Sequence, residues 1–185
     1  MEENNIKKVM FNANNKKHKE FKLENKPKEK DRKRIETENW IFTQEEYAYE
    51  NQLAIIKDLF NNDLNHTNYI SKIILQQINK KIYGYKHQDI IKKLFLEQEF
   101  ITLPSIINKM IECKLKCYYC QLEMNVLYDI SREASQWTVD RINNDLGHNI
   151  NNFYLACLDC NLKRRCRNDA KFLFTKQLKI TKQYL

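Results

Sequence analysis

WTVDRINNDLGHNINNFYLACLDCN (Trp137–Asn161) runs from a β-prone piece through an Asn-rich loop to a pair of cysteines and the start of a basic segment. Cys157 and Cys160, which close the stretch, match an upstream pair, Cys117 and Cys120, across 36 intervening residues. Two residues between cysteines form a tight knuckle that turns both thiolates onto one ion. Two knuckles complete a tetrahedral four-thiolate shell with Zn–S near 2.3 Å. Such a closed shell has no place for water, so the zinc expected here is structural. Sites of this kind contribute roughly 10 kcal/mol, enough to decide whether a small unit folds. Cys113 and Cys166 stand outside both pairs and are read as bystanders.

Upstream the texture is helical. Thr43 and Glu46 have the spacing of a capping box, and Tyr47, Leu53, Ile56 and Phe60 follow near helical period. Ile70, Ile73, Ile74 and Ile78 define a second helix from Tyr69 to about Ile82, expected to stop before Gly84. A third is expected around Gln88–Gln98 with Ile90, Ile91, Leu94 and Phe95. A fourth begins near Pro104 and carries Ile106, Ile107, Met110 and Ile111. Residues 1–38 are polar and rich in mixed charge, without apolar period. They read as a disordered basic arm that is either merely solvated or touches phosphates nonspecifically. The expected organisation is therefore the arm, a helical scaffold over 39–112, and a zinc-stabilised unit over 113–185 ending in a basic helix.

The 185 residues carry a net charge of +8, which favours a polyanionic partner and suits one domain with a tail. No apolar run approaches the roughly 18–20 residues of a membrane span. The N-terminus lacks a secretory signal, so an intracellular location, cytoplasmic or nuclear, is expected, where paired cysteines hold metal more often than they form disulfides.

Residues 113–180 resemble the HNH endonuclease family. The narrower likeness is to the branch with an Asp-Arg-Ile motif (Asp140, Arg141, Ile142) and a Cys-Asn-x-x-Lys motif, met loosely by Cys160, Asn161, Lys163 and Arg164. Gly147, and Asn152 five residues before Cys157, fall in register with it. This branch is frequent in phages and large DNA viruses. The resemblance implies an α+β protein: a helical N-terminal scaffold followed by a zinc-stapled ββα-metal unit, with its last helix starting near Leu158. Trp137, Val139 and Ile142, then Phe153 and Leu155, agree as strand residues, and Asn161–Lys171 lacks Gly and Pro.

The implied function is hydrolysis of DNA phosphodiesters, with RNA left open, by a single hard divalent ion such as Mg²⁺ or Mn²⁺. Asp140 and the Asn161 carbonyl match the family's metal positions, and Asn152 matches the central residue that holds the loop. Where the family commonly has a histidine base, this chain has Arg141, which stays protonated at neutral pH. Three readings follow. His148, in the same loop, takes over as base. Or the metal alone acidifies the attacking water while Arg141 clamps phosphate. Or the site binds without cutting. Lys163, Arg164, Arg165 and Arg167 are expected to contact nucleic acid. His18, His66 and His87 receive no role. The rival functions are a catalytically inactive, zinc-dependent nucleic-acid-binding module and a zinc-scaffolded protein-interaction domain.

Overall fold

The computed structural model describes residues 32–61 and 68–178. Helix α1 (Tyr49–Asn61), α2 (Tyr69–Ile91) and α3 (Leu103–Glu112) precede strands β1 (Trp137–Arg141) and β2 (Phe153–Cys157), then α4 (Leu158–Arg164) and α5 (Asp169–Gln177). The fold is thus α+β, with one two-stranded antiparallel sheet among the described residues, in the register Trp137↔Cys157 to Arg141↔Phe153.

Ile56 and Leu59 of α1, Ile74 and Ile78 of α2, and Ile106, Ile107 and Met110 of α3 meet in the core, each removed from water at about 25 cal/mol per Å² of apolar surface. The same core continues through Leu115, Tyr119 and Met124 to Trp137, Val139 and Leu155. One buried amide ties the two halves. Gln52 Oε1 accepts from the backbone N–H of Val126 and of Leu127, both at 2.8 Å, so a long unstructured segment is held without regular secondary structure.

Several sequence expectations change in detail. The Thr43–Glu46 capping box forms reciprocally, but it closes a turn, and α1 begins only at Tyr49. The reciprocal box that starts a helix directly is Thr102–Ser105, with Pro104 in the first turn of α3. Helix α2 does not stop at Gly84. It runs 23 residues, so the expected third helix is partly its last turns and partly the loop from Lys92 to Thr102. Glycine inside a helix costs only about 1 kcal/mol, which the flanking contacts of α2 outweigh. Ile90 and Ile91, expected in the core, are exposed.

The basic end is not one helix either. Arg165 takes a left-handed backbone (φ 55°), which ends α4 and separates it from α5. The expected arm lies mostly outside the described residues, as do Lys179, His18 and His66. Its last part is structured. Lys33 bridges Ile130, and Ile35–Asn39 forms a short 3-10 helix, so residues 32–38 are not disordered as expected. No described helix is long and apolar enough to cross a membrane.

Candidate functional site

The cysteines come together first. A hairpin closed by the Lys116–Glu123 bridge carries Cys117 and Cys120, and Tyr118 N–H donates to Leu155 O, which docks the knuckle on β2. Cys157 ends β2, caps α4 and accepts from Cys160 N–H through Sγ. All four sulfurs lie within 4.8 Å of one another, and Cys120 and Cys157 are 3.8 Å apart. A regular tetrahedron with 2.3 Å arms has edges of about 3.8 Å, so the cage fits zinc and is far too open for disulfides. The electrostatics agree. Cys117 is held far below the ordinary thiol range by the hydrogen bonds of Cys157 and Cys160, whose own thiols are pushed up in turn. One cluster cannot hold four thiolates without a cation to neutralise them. These four residues can hold a metal ion, for which zinc is the natural match.

Beside the cage, α2, β1 and α4 line a cleft of about 400 Å³. The α2 wall rests on a polar stripe at helical spacing, Lys81, Tyr85 and Asp89. Lys81 donates to Trp137 O and, at 3.0 Å, to Gln136 Oε1. Tyr85 Oη accepts from Val139 N–H at 2.9 Å, and Asp89 grips His148. The outer edge of β1 is therefore capped by side chains of one helix face instead of a third strand. Gly84 sits on this face, lines the cleft and has no heavy atom within 4 Å of where a Cβ would be.

Asp89 is fully buried. Its Oδ2 accepts from His148 N–H at 2.6 Å, and its Oδ1 lies 2.7 Å from His148 Nδ1. The ring also stacks on Tyr85 at 4.6 Å, and His148 O accepts from Ile101 N–H. His148 is 4% exposed, and with Nδ1 committed, Nε2 is the nitrogen left for the cleft that the residue lines. Burial lowers its proton affinity below the usual 6.5. Asp89 opposes this, while the charges of Arg141 and Lys92 add to it, so the net push is toward the neutral ring. Gly147 is required for this approach: a Cβ there would stand 2.5 Å from Leu94 O and 2.9 Å from Asp89 Oδ2.

Asn152 does not face the cleft. It clasps the loop, accepting from Asn143 N–H and donating to Asn143 O and Gly147 O, each at 2.9 Å. Arg141 lines the cleft but spends Nη1 on the carbonyls of Asn144 and Leu146. Asn161, on α4, donates through Nδ2 to Thr138 Oγ1 (3.0 Å) and Val139 O (3.3 Å), which leaves Oδ1 open toward the cleft it lines.

Asp140 and Arg164 depart most from expectation. Arg164, expected among the nucleic-acid contacts, is 1% exposed. It donates to Asp140 Oδ1, Arg141 O and Ile142 O at 2.7–2.9 Å. The other Asp140 oxygen accepts from Tyr119 Oη at 2.6 Å. Burial raises the Asp140 carboxyl above 3.8, opposed by the Tyr119 hydroxyl and the Arg164 charge. As oxygen donors for a hard dication, then, Asn161 Oδ1 is open, while Asp140 shares each oxygen with a donor already in place. Of the remaining basic residues, Arg165 lines the cleft and Arg167 is exposed, whereas Lys163 is paired with Asp159.

Sequence reasoning missed Asp89, Tyr85 and Tyr119. No spacing rule links Asp89 to a histidine 59 positions away, and only the polar i, i+4, i+8 stripe of α2 hinted that this face meets something other than water. No protein-family model, curated protein or solved structure matches this chain at a significant level.

Proposed function

We propose that this chain is a zinc-stapled, metal-dependent endonuclease of the HNH type that hydrolyses nucleic-acid phosphodiesters, with His148 as base. The observation that carries this is the convergence, in one cleft, of an imidazole oriented by a buried carboxylate, an open amide oxygen on Asn161, and the cations Arg141 and Arg165. His148 Nδ1–H donates to Asp89, which leaves the Nε2 lone pair for a water proton. As that proton moves to Nε2, the water oxygen bonds to phosphorus and the bond to the leaving sugar oxygen breaks. The leaving oxygen takes its proton from solvent. The N–H groups of Arg141 that the loop carbonyls leave free bind the non-bridging oxygens. A divalent ion, Mg²⁺ or Mn²⁺, would be held by Asn161 Oδ1 and by Asp140 once Arg164 yields Oδ1. When bound, it neutralises phosphate charge and stabilises the leaving oxygen.

Plasmid nicking with Mg²⁺ or Mn²⁺ tests the proposal. His148→Ala and Asp140→Ala should each reduce nicking, the former by about 10²–10⁴-fold, the usual contribution of a positioned base. Nicking that both variants leave unchanged would sink it. The Asp140–Arg164 pair favours one rival, a module that binds nucleic acid without cutting. That reading predicts salt-sensitive retention of DNA with no metal-dependent nicking.

A further inference from the structure

A second groove, about 690 Å³, adjoins the cleft and shares Gln136 and Leu158 with it. The exposed cations Arg32, Lys33 and Arg132 line it. Its one lining acid, Glu36, is already neutralised, at 2.5 Å from Lys80 and 3.2 Å from Arg34, and its carboxyl is held below the usual range by the Lys80 hydrogen bond.

The backbone that carries the cations is tied to the body of the protein. Ser131 N–H donates to Arg32 O at 2.7 Å and Arg34 N–H to Asp129 O at 2.8 Å, which makes an isolated antiparallel bridge between Lys33 and Ile130. Arg34 anchors that segment, bonded to Tyr128 O and stacked on its ring at 4.3 Å. Arg132 holds a left-handed backbone (φ 64°) in the facing turn.

We infer that this groove carries nucleic-acid backbone leaving the cleft, with Arg32, Lys33 and Arg132 on phosphates to one side of the scissile bond. The inference rests on the cleft being a nucleic-acid site and adds a direction to it. Three exposed cations spread along an open channel suit a repeating polyanion, which presents a charge every 1.7 Å of duplex, better than a single small anion.

The test is fluorescence anisotropy of the full chain with labelled duplex DNA of one helical turn and of three turns, without added divalent ion. The triple variant Arg32→Ala/Lys33→Ala/Arg132→Asn is compared with wild type and with Lys57→Ala/Lys72→Ala/Lys109→Ala, which removes equal charge from α1–α3. The groove variant should bind the long duplex about tenfold more weakly. Its slope of log affinity against log salt should fall by about two to three, near 0.9 per lost phosphate contact, with the short duplex unaffected. If the groove variant fails to fold, Lys33→Glu alone, at an exposed position, should lose affinity for the long duplex selectively. An unchanged slope, an equal loss in the control variant, or wild-type binding no tighter to the long duplex overturns the groove and leaves the cleft reading standing. Wild type with no salt-sensitive binding at either length removes both.

Discussion

Helix α2 and helix α4 line the same cleft, yet different forces hold them. The α2 wall is 23 residues long and buries Ile74 and Ile78 in the helical core, so its polar stripe is delivered by a preformed rod. The α4 wall is seven residues, too short to persist alone. It is pinned at its start by Cys157 and Cys160 and at its end by Arg164 reaching back to Asp140. A scaffold wall made by apolar packing thus meets a wall made by a four-cysteine cluster that can hold a metal, and by buried charge.

The largest effect should come from the pin. Purified protein should carry one zinc per chain by elemental analysis. Chelation, or Cys117→Ser with Cys160→Ser, should remove stabilisation on the order of 10 kcal/mol from the 113–178 region, while far-ultraviolet dichroism keeps most of the signal of α1–α3. Melting that ignores a strong chelator would erase the contrast between the walls.

Next in size is the far end of α4. Arg164→Met alone leaves Asp140 charged and unpaired and should cost about 3–5 kcal/mol in urea unfolding. The double variant with Asp140→Leu should recover most of that loss, since apolar replacement of a buried pair is often neutral. A single variant within about 1 kcal/mol of wild type would mean the pair is solvated and worth no more than a surface bridge.

On the α2 wall the sharper probe is pH. Burial holds the proton affinity of His148 below 6.5, so as pH falls the unfolded chain binds the extra proton first. Stability tied to this group is fully present above about pH 6.5 and is lost as pH falls through the lowered native value. His148→Gln should remove that part of the acid sensitivity of the urea midpoint. Asp89→Asn should slow nicking and move the acid limb of its pH profile downward, because Asp89 is the partner that raises the affinity of the ring for a proton. An unmoved limb would break the link between Asp89 and His148. The smallest effect is expected at Gly84, where alanine meets nothing and should stabilise α2 by about 0.5–1 kcal/mol in thermal unfolding.

The α4 side was largely legible in the sequence, because its signals are local. Cysteines two residues apart predict the four-cysteine cluster, and the strand pieces flanking the Asn-rich loop agree with the order β1, β2, α4 that the resemblance implied. The α2 side was not. Gly84 read as a stop because a breaker is judged without the contacts that outvote it, and Asp89 meets His148 only through tertiary folding. Arg164 was misplaced for a related reason: counting charge assumes that cations face water, and this one turns inward to a carboxylate 24 positions earlier.

Lys81 has a consequence of its own. Burial, aided by the charge of Arg34, brings its ammonium down to about 7, and Nζ lies 4.8 Å from the ring centre of the fully buried Trp137. The indole therefore sits beside a cation that comes and goes near neutrality, so its emission should act as a built-in indicator of the cleft's charge. A polyanion docking there would stabilise the ammonium and displace the optical titration toward alkaline pH, giving a label-free reading of occupancy.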